Sequence, residues 1–228
     1  DPGRQHATNE DSWSATRVGD AHLLVLCDGM GGMGRGAAAS KLATEHIRDF
    51  VLNNELPPRS RIESAIASAD NRVRREMCSA DSRPGCTAVV VYVESSSASV
   101  AWVGDSRAYW IRNGEVLERT NDHKVVQGMV DRGELTEEQA RSSRYSNVLS
   151  RSLGGRLPSD PTVEVALLAD AWRLQRGDRL LLCSDGVIDL VGDDEIPNLI
   201  RDLSPSDAAK QLVDLANRRG GHDNITAI

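Results

Sequence analysis

The residues best placed to do chemistry are aspartates that follow apolar runs and stand beside glycine. Leu23-Leu24-Val25-Leu26-Cys27 is apolar without alternation, which predicts a strand buried on both faces that delivers Asp28 to an edge, with Gly29 next. Val100-Ala101-Trp102-Val103 leads in the same way to Gly104-Asp105, and Leu180-Leu181-Leu182-Cys183-Ser184 leads to Asp185-Gly186. Asp223 opens the terminal run Asp223-Asn224-Ile225-Thr226-Ala227-Ile228. A single Asp-Gly pair means a turn. Its recurrence places several carboxylates at strand ends, from which they can converge on one spot. Such a cluster repels itself unless cations neutralise it, and hard divalent cations prefer oxygen ligands of this kind. Two such ions, about 3.5–4 Å apart, suit phosphate-ester hydrolysis, because they polarise the phosphate and lower the pKa of a shared water. Asp28 is the best candidate for a bridging ligand: Gly29 lets the backbone come close, and its carbonyl oxygen is a further ligand.

Other chemistries fit the spacing less well. Gly29-Met30-Gly31-Gly32-Met33-Gly34 matches G-x-G-x-x-G between a predicted strand and a predicted helix, the context of a dinucleotide-binding turn. Asp28 would aim negative charge at the pyrophosphate, where positive potential is needed. After the following helix the chain also runs through Pro57-Pro58 into another helix rather than into a strand ending in an acid. A cysteine-dependent phosphatase needs Cys-x5-Arg, but the sixth residues after Cys27, Cys78, Cys86 and Cys183 are Met33, Pro84, Tyr92 and Asp189. The nucleophile elbow G-x-S-x-G is absent, which leaves Ser106 and Ser184 as turn residues. No histidine-rich pattern suits catalytic zinc.

The elements that must position the aspartates read as an α+β fold. Helices are predicted from Arg35 to Phe50, from Ser60 with a Ser60-x-x-Glu63 capping box, over His123 to Arg132, over Thr136 to Ser143 with a Thr136-x-x-Gln139 box, and over Asp194 to Leu203 and Ser206 to Arg219. Strands are predicted at Cys86 to Val93, Ser99 to Val103, Val163 to Leu168 and Arg179 to Cys183, with a type I′ hairpin at Asn113-Gly114. Strands arrive in runs, which favours antiparallel sheets covered by helices over a doubly wound parallel sheet. Arg141 to Gly155 is polar with weak periodicity and reads as a flap. The 228 residues suit one domain, and the chain reads as clipped at both ends from a longer protein. A net charge of −7 argues against nucleic acid as a partner. With no 18-residue apolar stretch and no signal-like start, a cytoplasmic chain without a membrane segment is expected. Cys27 and Cys183, inside apolar runs, read as reduced and buried.

Seven motifs then carry a family resemblance: Asn9-Glu10-Asp11, Asp28-Gly29-Met30-Gly31-Gly32, Gly85-Cys86-Thr87, Gly104-Asp105-Ser106-Arg107, Thr120-Asn121-Asp122-His123, Ser184-Asp185-Gly186 and His222-Asp223-Asn224. In this order they resemble the metal-dependent type 2C serine/threonine protein phosphatases, bacterial branch. The resemblance implies a β-sandwich of two antiparallel sheets flanked by helices, with a manganese or magnesium centre at one edge. Carried over, Asp28 bridges two ions, the Gly29 carbonyl joins one, and Asp185 and Asp223 complete the centre. Glu10 and Asp11 hold metal-bound waters, and Asp105 helps bind a third, weaker ion. The implied reaction is attack of a metal-bridging hydroxide on phosphoserine or phosphothreonine in a protein, without a phosphoenzyme, reversing a Ser/Thr kinase. The expected partner is that phosphoprotein, or the kinase and its targets, met by a monomer; the flap falls where the family chooses substrates. The alternative is a weak or inactive domain of the same fold that binds a phosphoprotein or regulator.

Two departures stand out. Met30 replaces the histidine that eukaryotic members carry, as is common in bacterial relatives. The family has an arginine three residues before the asparagine of the first motif, where it grips the substrate phosphate; here that residue is His6, with Arg4 nearby. Histidine is a weaker, pH-dependent donor. His6→Arg is therefore expected to preserve or raise phosphatase activity, measured as kcat/KM, and a large loss would remove His6 from the phosphate-gripping position.

Overall fold

The computed structural model describes residues 1–32 and 34–228 and, within helices and strands, every side chain except those of Glu137 and Arg141. The glycine motif Gly29–Gly34 therefore has one member, Met33, outside the described residues. The elements run β1 (Ser12–Val18), β2 (Ala21–Cys27), β3 (Gly29–Met30), α1 (Arg35–Leu52), α2 (Pro58–Met77), β4 (Gly85–Cys86), β5 (Ala88–Glu94), β6 (Ser97–Val103), β7 (Arg107–Arg112), β8 (Glu115–Arg119), α3 (Val125–Asp131) and α4 (Glu137–Arg141). There follow β9 (Leu153–Gly154), β10 (Ala166–Leu167), β11 (Trp172–Arg173), β12 (Arg179–Cys183), α5 (Asp185–Ile188), α6 (Ile196–Ile200) and α7 (Pro205–Arg218).

The larger antiparallel sheet has the order β1-β2-β5-β6-β10, with β11 also paired to β6; the second is β12-β7-β8. The two-residue strands β3, β4 and β9 form a small third sheet beside the end of β2. Strand periodicity of two explains the layering. Leu23, Val25 and Cys27 face α1 and α2, packing with Ala39, Ala43, Ile47, Ile62, Ile66 and Val73. Leu26, Val89, Val91 and Val100 point the other way and meet Ala108, Leu182 and Trp172 between the sheets. Tyr109, Ile111, Leu181 and Cys183 face outward again, onto Val187, Ile196, Leu212 and Ala216 of the C-terminal helices. The expected sandwich of two sheets between helices is therefore present, and β2 is buried on both faces as its sequence requires.

Several local expectations need correction. The second helix begins at Pro58 after Pro57, not at a Ser60 capping box. Proline at the first helical positions loses no hydrogen bond and presets φ, so Ser60 falls inside the first turn. The Thr136–Gln139 capping box is present, and the Asn113-Gly114 hairpin has both residues at positive φ, 53° and 81°. The strand predicted from Ser99 starts earlier, as β6 at Ser97, which leaves only Ser95-Ser96 between β5 and β6. Helix begins at Val125 rather than His123, because His123 and Lys124 instead make extended pairings with Leu149 and Ser150. Only Ala166–Leu167 of the Val163–Leu168 run pairs as strand, and only Ile196–Ile200 of Asp194–Leu203 is helical. The terminal run is not a full strand, but Leu182 and Ile228 exchange backbone hydrogen bonds of 3.0 and 2.9 Å, and Ser184 N–H reaches Thr226 O at 3.1 Å, so it lies along the outer edge of β12.

The segment after the flap is held by one buried ion. Asp70 on α2, fully buried, accepts from the N–H groups of Gly154 and Val163 and from Arg74 and Arg156 at 2.9 to 3.2 Å. Removing one partner of a buried pair leaves an uncompensated charge, here Arg74 at 3% side-chain exposure. Asp70→Ala is expected to destabilise the fold by about 3–5 kcal/mol, measured by chemical denaturation, whereas alanine at the exposed Glu76 should change stability by less than about 1 kcal/mol.

Candidate metal centre

Asp28 leaves β2 where the small third sheet begins. Its N–H donates to Thr87 Oγ1 at 2.9 Å, and Thr87 N–H donates back to Asp28 O at 2.8 Å. Thr87 Oγ1 also shares a 2.7 Å hydrogen bond with Ser106 Oγ, linking the β2 end to the bend that holds Asp105. This use of Thr87 is why the predicted Cys86–Val93 strand breaks into β4 and β5. Gly29 N–H reaches Glu10 O at 3.2 Å. A Cβ on Gly29 would stand 2.3 Å from Gly36 O and 2.6 Å from Glu10 O; one on Gly36 would stand 2.4 Å from Glu10 Oε2. The start of α1, Gly29 and Glu10 can approach this closely only because both positions are glycine.

The first and last segments meet through one carboxamide. Asn224 Oδ1 accepts from Glu10 N–H at 2.6 Å, and Asn224 Nδ2 donates to Pro2 O and Thr8 O at 3.1 and 3.2 Å. Arg4 N–H donates to Gly221 O at 2.7 Å, and His6 Nε2 stands 3.6 Å from Asp223 Oδ1, both side chains about half exposed. Asp11 Oδ2 accepts from Ser184 Oγ at 2.9 Å and from Thr226 Oγ1 at 2.7 Å. Ser184 thus does more than make a turn, since its hydroxyl fixes a carboxylate; Ser106 lies in a bend, buried against Thr87.

The electrostatics show how near the carboxylates are. Burial raises Asp28 well above the ordinary carboxylate range, and the charges of Asp185, Asp11 and Asp105 add to it. Asp185 is pushed up to about 8 by burial, then by Asp105, Asp189 and Asp223, against a lowering by Lys124. Burial also raises Asp11, opposed by its two hydroxyl donors, and raises Asp105, opposed by Lys124. Lys124 Nζ lies 3.0 Å from Asp105 Oδ2. It was not found from sequence, because a lone lysine after the Thr120–His123 motif has no spacing signature; Thr87, Ser184 and Asn224 stood inside the seven motifs without a supporting role, and Thr226 stood outside them.

Among the described residues no three His, Cys, Asp or Glu side chains stand, as placed, in a group that could hold a metal ion. Two buried carboxylate oxygens, Asp11 Oδ1 and Asp185 Oδ1, nonetheless have no hydrogen-bond partner. Such atoms are expensive to leave unpaired, and all-oxygen donors of like charge suit manganese or magnesium. The donor set fits a divalent centre made from Asp28, the Gly29 carbonyl, Asp185 and Asp223, with Glu10 and Asp11 at its margin. The structure brings Asp105 to the same corner but on the Lys124 side. Arg4 and His6 are placed along the Gly221–Asp223 rim.

A four-layer sandwich with an acidic cluster at one edge is the architecture of a metal-dependent phosphatase. The model of the family "Protein phosphatase 2C" matches residues 5–225, and the chain belongs to that family. It is 33% identical to the serine/threonine protein phosphatase PstP of Mycobacterium tuberculosis over 236 aligned positions, covering all of this chain and 43% of that one, so it spans less than half of that relative's length. Superposition on the serine/threonine phosphatase of S. agalactiae gives a TM-score of 0.89 at 30% identity, covering 100% of this chain and 94% of that one. The catalytic domain of PstP in complex with two manganese ions gives 0.81 at 30% identity, covering 100% and 93%.

The raised carboxyls set a pH dependence. Asp185 in the fold holds its proton up to about pH 8, against 3.8 ordinarily, so its contribution to metal-free stability is present in acid and lost as pH rises from about 4 to about 8. Metal-free protein should lose Tm across that window while manganese affinity rises with pH and binding releases protons. Asp185→Asn should flatten the slope and raise the Tm in EDTA by the equivalent of about 1–2 kcal/mol, with manganese no longer stabilising; calorimetry with and without EDTA at several pH values checks this.

Proposed function

We propose that this chain hydrolyses phosphoserine and phosphothreonine in proteins with two manganese or magnesium ions, and that it works against a Ser/Thr kinase in a bacterial signalling system. The observation that carries the reading is the convergence of Asp11, Asp28, Asp105, Asp185 and Asp223 from separated segments onto one sandwich edge, with two buried oxygens left unpaired. The ions, when bound, polarise the phosphoryl oxygens and acidify water. Asp28, the Gly29 carbonyl, Asp185 and Asp223 would hold them. Glu10 and Asp11 would orient water at the margin, Asp11 being kept in place by Ser184 and Thr226. Ser184 is occupied in that support, and the cysteines Cys27, Cys86 and Cys183 are buried, so none of these offers a nucleophile. Water that has given up a proton would attack phosphorus in line as the bond to the Ser or Thr oxygen breaks on the opposite side. That oxygen would take a proton from water, leaving inorganic phosphate and the free hydroxyl.

On this reading His6, half exposed beside Asp223, and Arg4 on the same rim would meet the phosphate, and the Arg141–Gly155 flap would select the flanking peptide. The flap is not free along its length: Val125 N–H reaches Val148 O at 2.8 Å and Ser150 N–H reaches His123 O at 2.7 Å. No helix among the described residues is long and apolar enough to cross a membrane. We read residues 1–228 as one catalytic domain acting as a monomer in the cytoplasm.

The test is p-nitrophenyl phosphate and phosphopeptide hydrolysis with manganese, magnesium or EDTA, for the wild type beside Asp28→Ala and Asp185→Ala. Metal-dependent turnover that falls at least about 100-fold in both variants, as expected for loss of electrostatic stabilisation at the transition state, is the expected result. A folded, manganese-binding wild type without turnover would make it a phosphoprotein-binding domain instead.

A further inference from the structure

The corner that holds Asp105 already contains a cation. Lys124 Nζ lies 3.0 Å from Asp105 Oδ2, with side-chain exposures of 12% and 6%, so neither group has room to turn into solvent. The backbone around Lys124 is fixed from several sides. His123 N–H donates to Gly104 O at 2.9 Å and Gly104 N–H donates to His123 Nδ1 at 3.1 Å, so the residues preceding Asp105 and Lys124 are clamped together. The His123 ring stacks on Trp102 at 5.9 Å, and Trp102 Nε1 donates to Asn121 O at 2.7 Å. Arg107, next to the same bend, holds Asp122 through two hydrogen bonds of 2.7 and 2.8 Å. On its far side Lys124 bridges to Leu149 of the flap. Four motif residues, Asp105, Arg107, Asp122 and His123, are thus employed in presenting one ammonium group to one carboxylate.

Resting on the metal-centre reading above, we propose that Lys124 is the built-in occupant of the Asp105 corner, so that the chain binds two divalent ions and its ammonium stands in place of a third. A divalent ion entering this corner would have to displace the ammonium from Asp105 and then sit beside it. Against the lowering by burial, Asp189 and Asp122 join Asp105 in raising the Lys124 pKa from nearby, but among the described ion pairs its ammonium meets only Asp105, and a buried charge without a partner is costly. The ammonium charge needs no dehydration on binding and does not vary with free metal concentration. The corner therefore stays neutralised when magnesium or manganese is scarce.

The test counts manganese per folded chain by equilibrium dialysis with elemental analysis, for the wild type, Lys124→Met, Lys124→Arg, the double variant Lys124→Met with Asp105→Asn, and Asp28→Ala. Expected are two ions in the wild type and in Lys124→Arg, three in Lys124→Met, and two again in the double variant. Circular dichroism confirms folding, and Lys124→Ala replaces Lys124→Met if that variant does not fold. Three ions in the wild type, or two in the single variant Lys124→Met (or Lys124→Ala), would overturn the inference and leave the metal centre standing. No bound manganese in the wild type, with no difference from Asp28→Ala, would overturn both.

Discussion

The structure depends on the mutual repulsion of carboxylates gathered at one edge of a sandwich. Each aspartate sits there because a strand end or turn delivers it, and each is partly withdrawn from water by the layers that hold the strands. Folding therefore builds a site of unfavourable potential, in which Asp28 and Asp185 retain protons far above their ordinary range. Cations relieve what the fold imposes, and that relief couples metal binding to stability. The supports around the cluster are hydroxyls and amides: Thr87, Ser184, Thr226 and Asn224 orient oxygens without adding charge.

The exception is at Asp105, where charge is met by charge. Lys124 lowers the burden on Asp105 and Asp185, and Arg107 pairs with Asp122 and Asp193 through hydrogen bonds of 2.7 to 3.0 Å. The site is thus divided into a half left for mobile cations and a half settled by the chain's own. The division follows the strands: Asp28 and Asp185 follow β2 and β12, whereas Asp105 sits in the bend between β6 and β7, within reach of the segment leading to α3.

Much of this was legible in the sequence because the strongest signals coincide with the buried layers. The unbroken apolar runs before Asp28, Asp105 and Asp185 predict their strands, and two-residue alternation then assigns faces. The Asn113-Gly114 turn was legible because its positive φ values restrict residue choice. The start of α2 was misread because a capping-box pattern competed with Pro57-Pro58, and the prolines prevailed. The short β10 and α6 fell below expectation because their apolar residues pack from irregular backbone as well as from regular elements. The roles of Lys124 and of the hydroxyl supports, even of Thr87 and Ser184 inside the seven motifs, were invisible for a simpler reason. Their roles come from contacts between residues far apart in the chain, such as Asp11 with Thr226, and local pattern carries no trace of them.

The clasp made by Asn224 has a consequence in time as well as in space. Its carboxamide joins Glu10 to a residue 214 positions later, so the ring it closes takes in nearly all of residues 1–228. Closing so long a ring is entropically costly until other contacts have drawn its ends together, and contacts this remote in sequence form late. During synthesis, Asp28 and its strand leave the ribosome long before Asp223 does. A nascent chain thus carries part of an acidic site until Asp223 has been made, and metal capture by the full site requires synthesis past Asp223 and closure of the clasp.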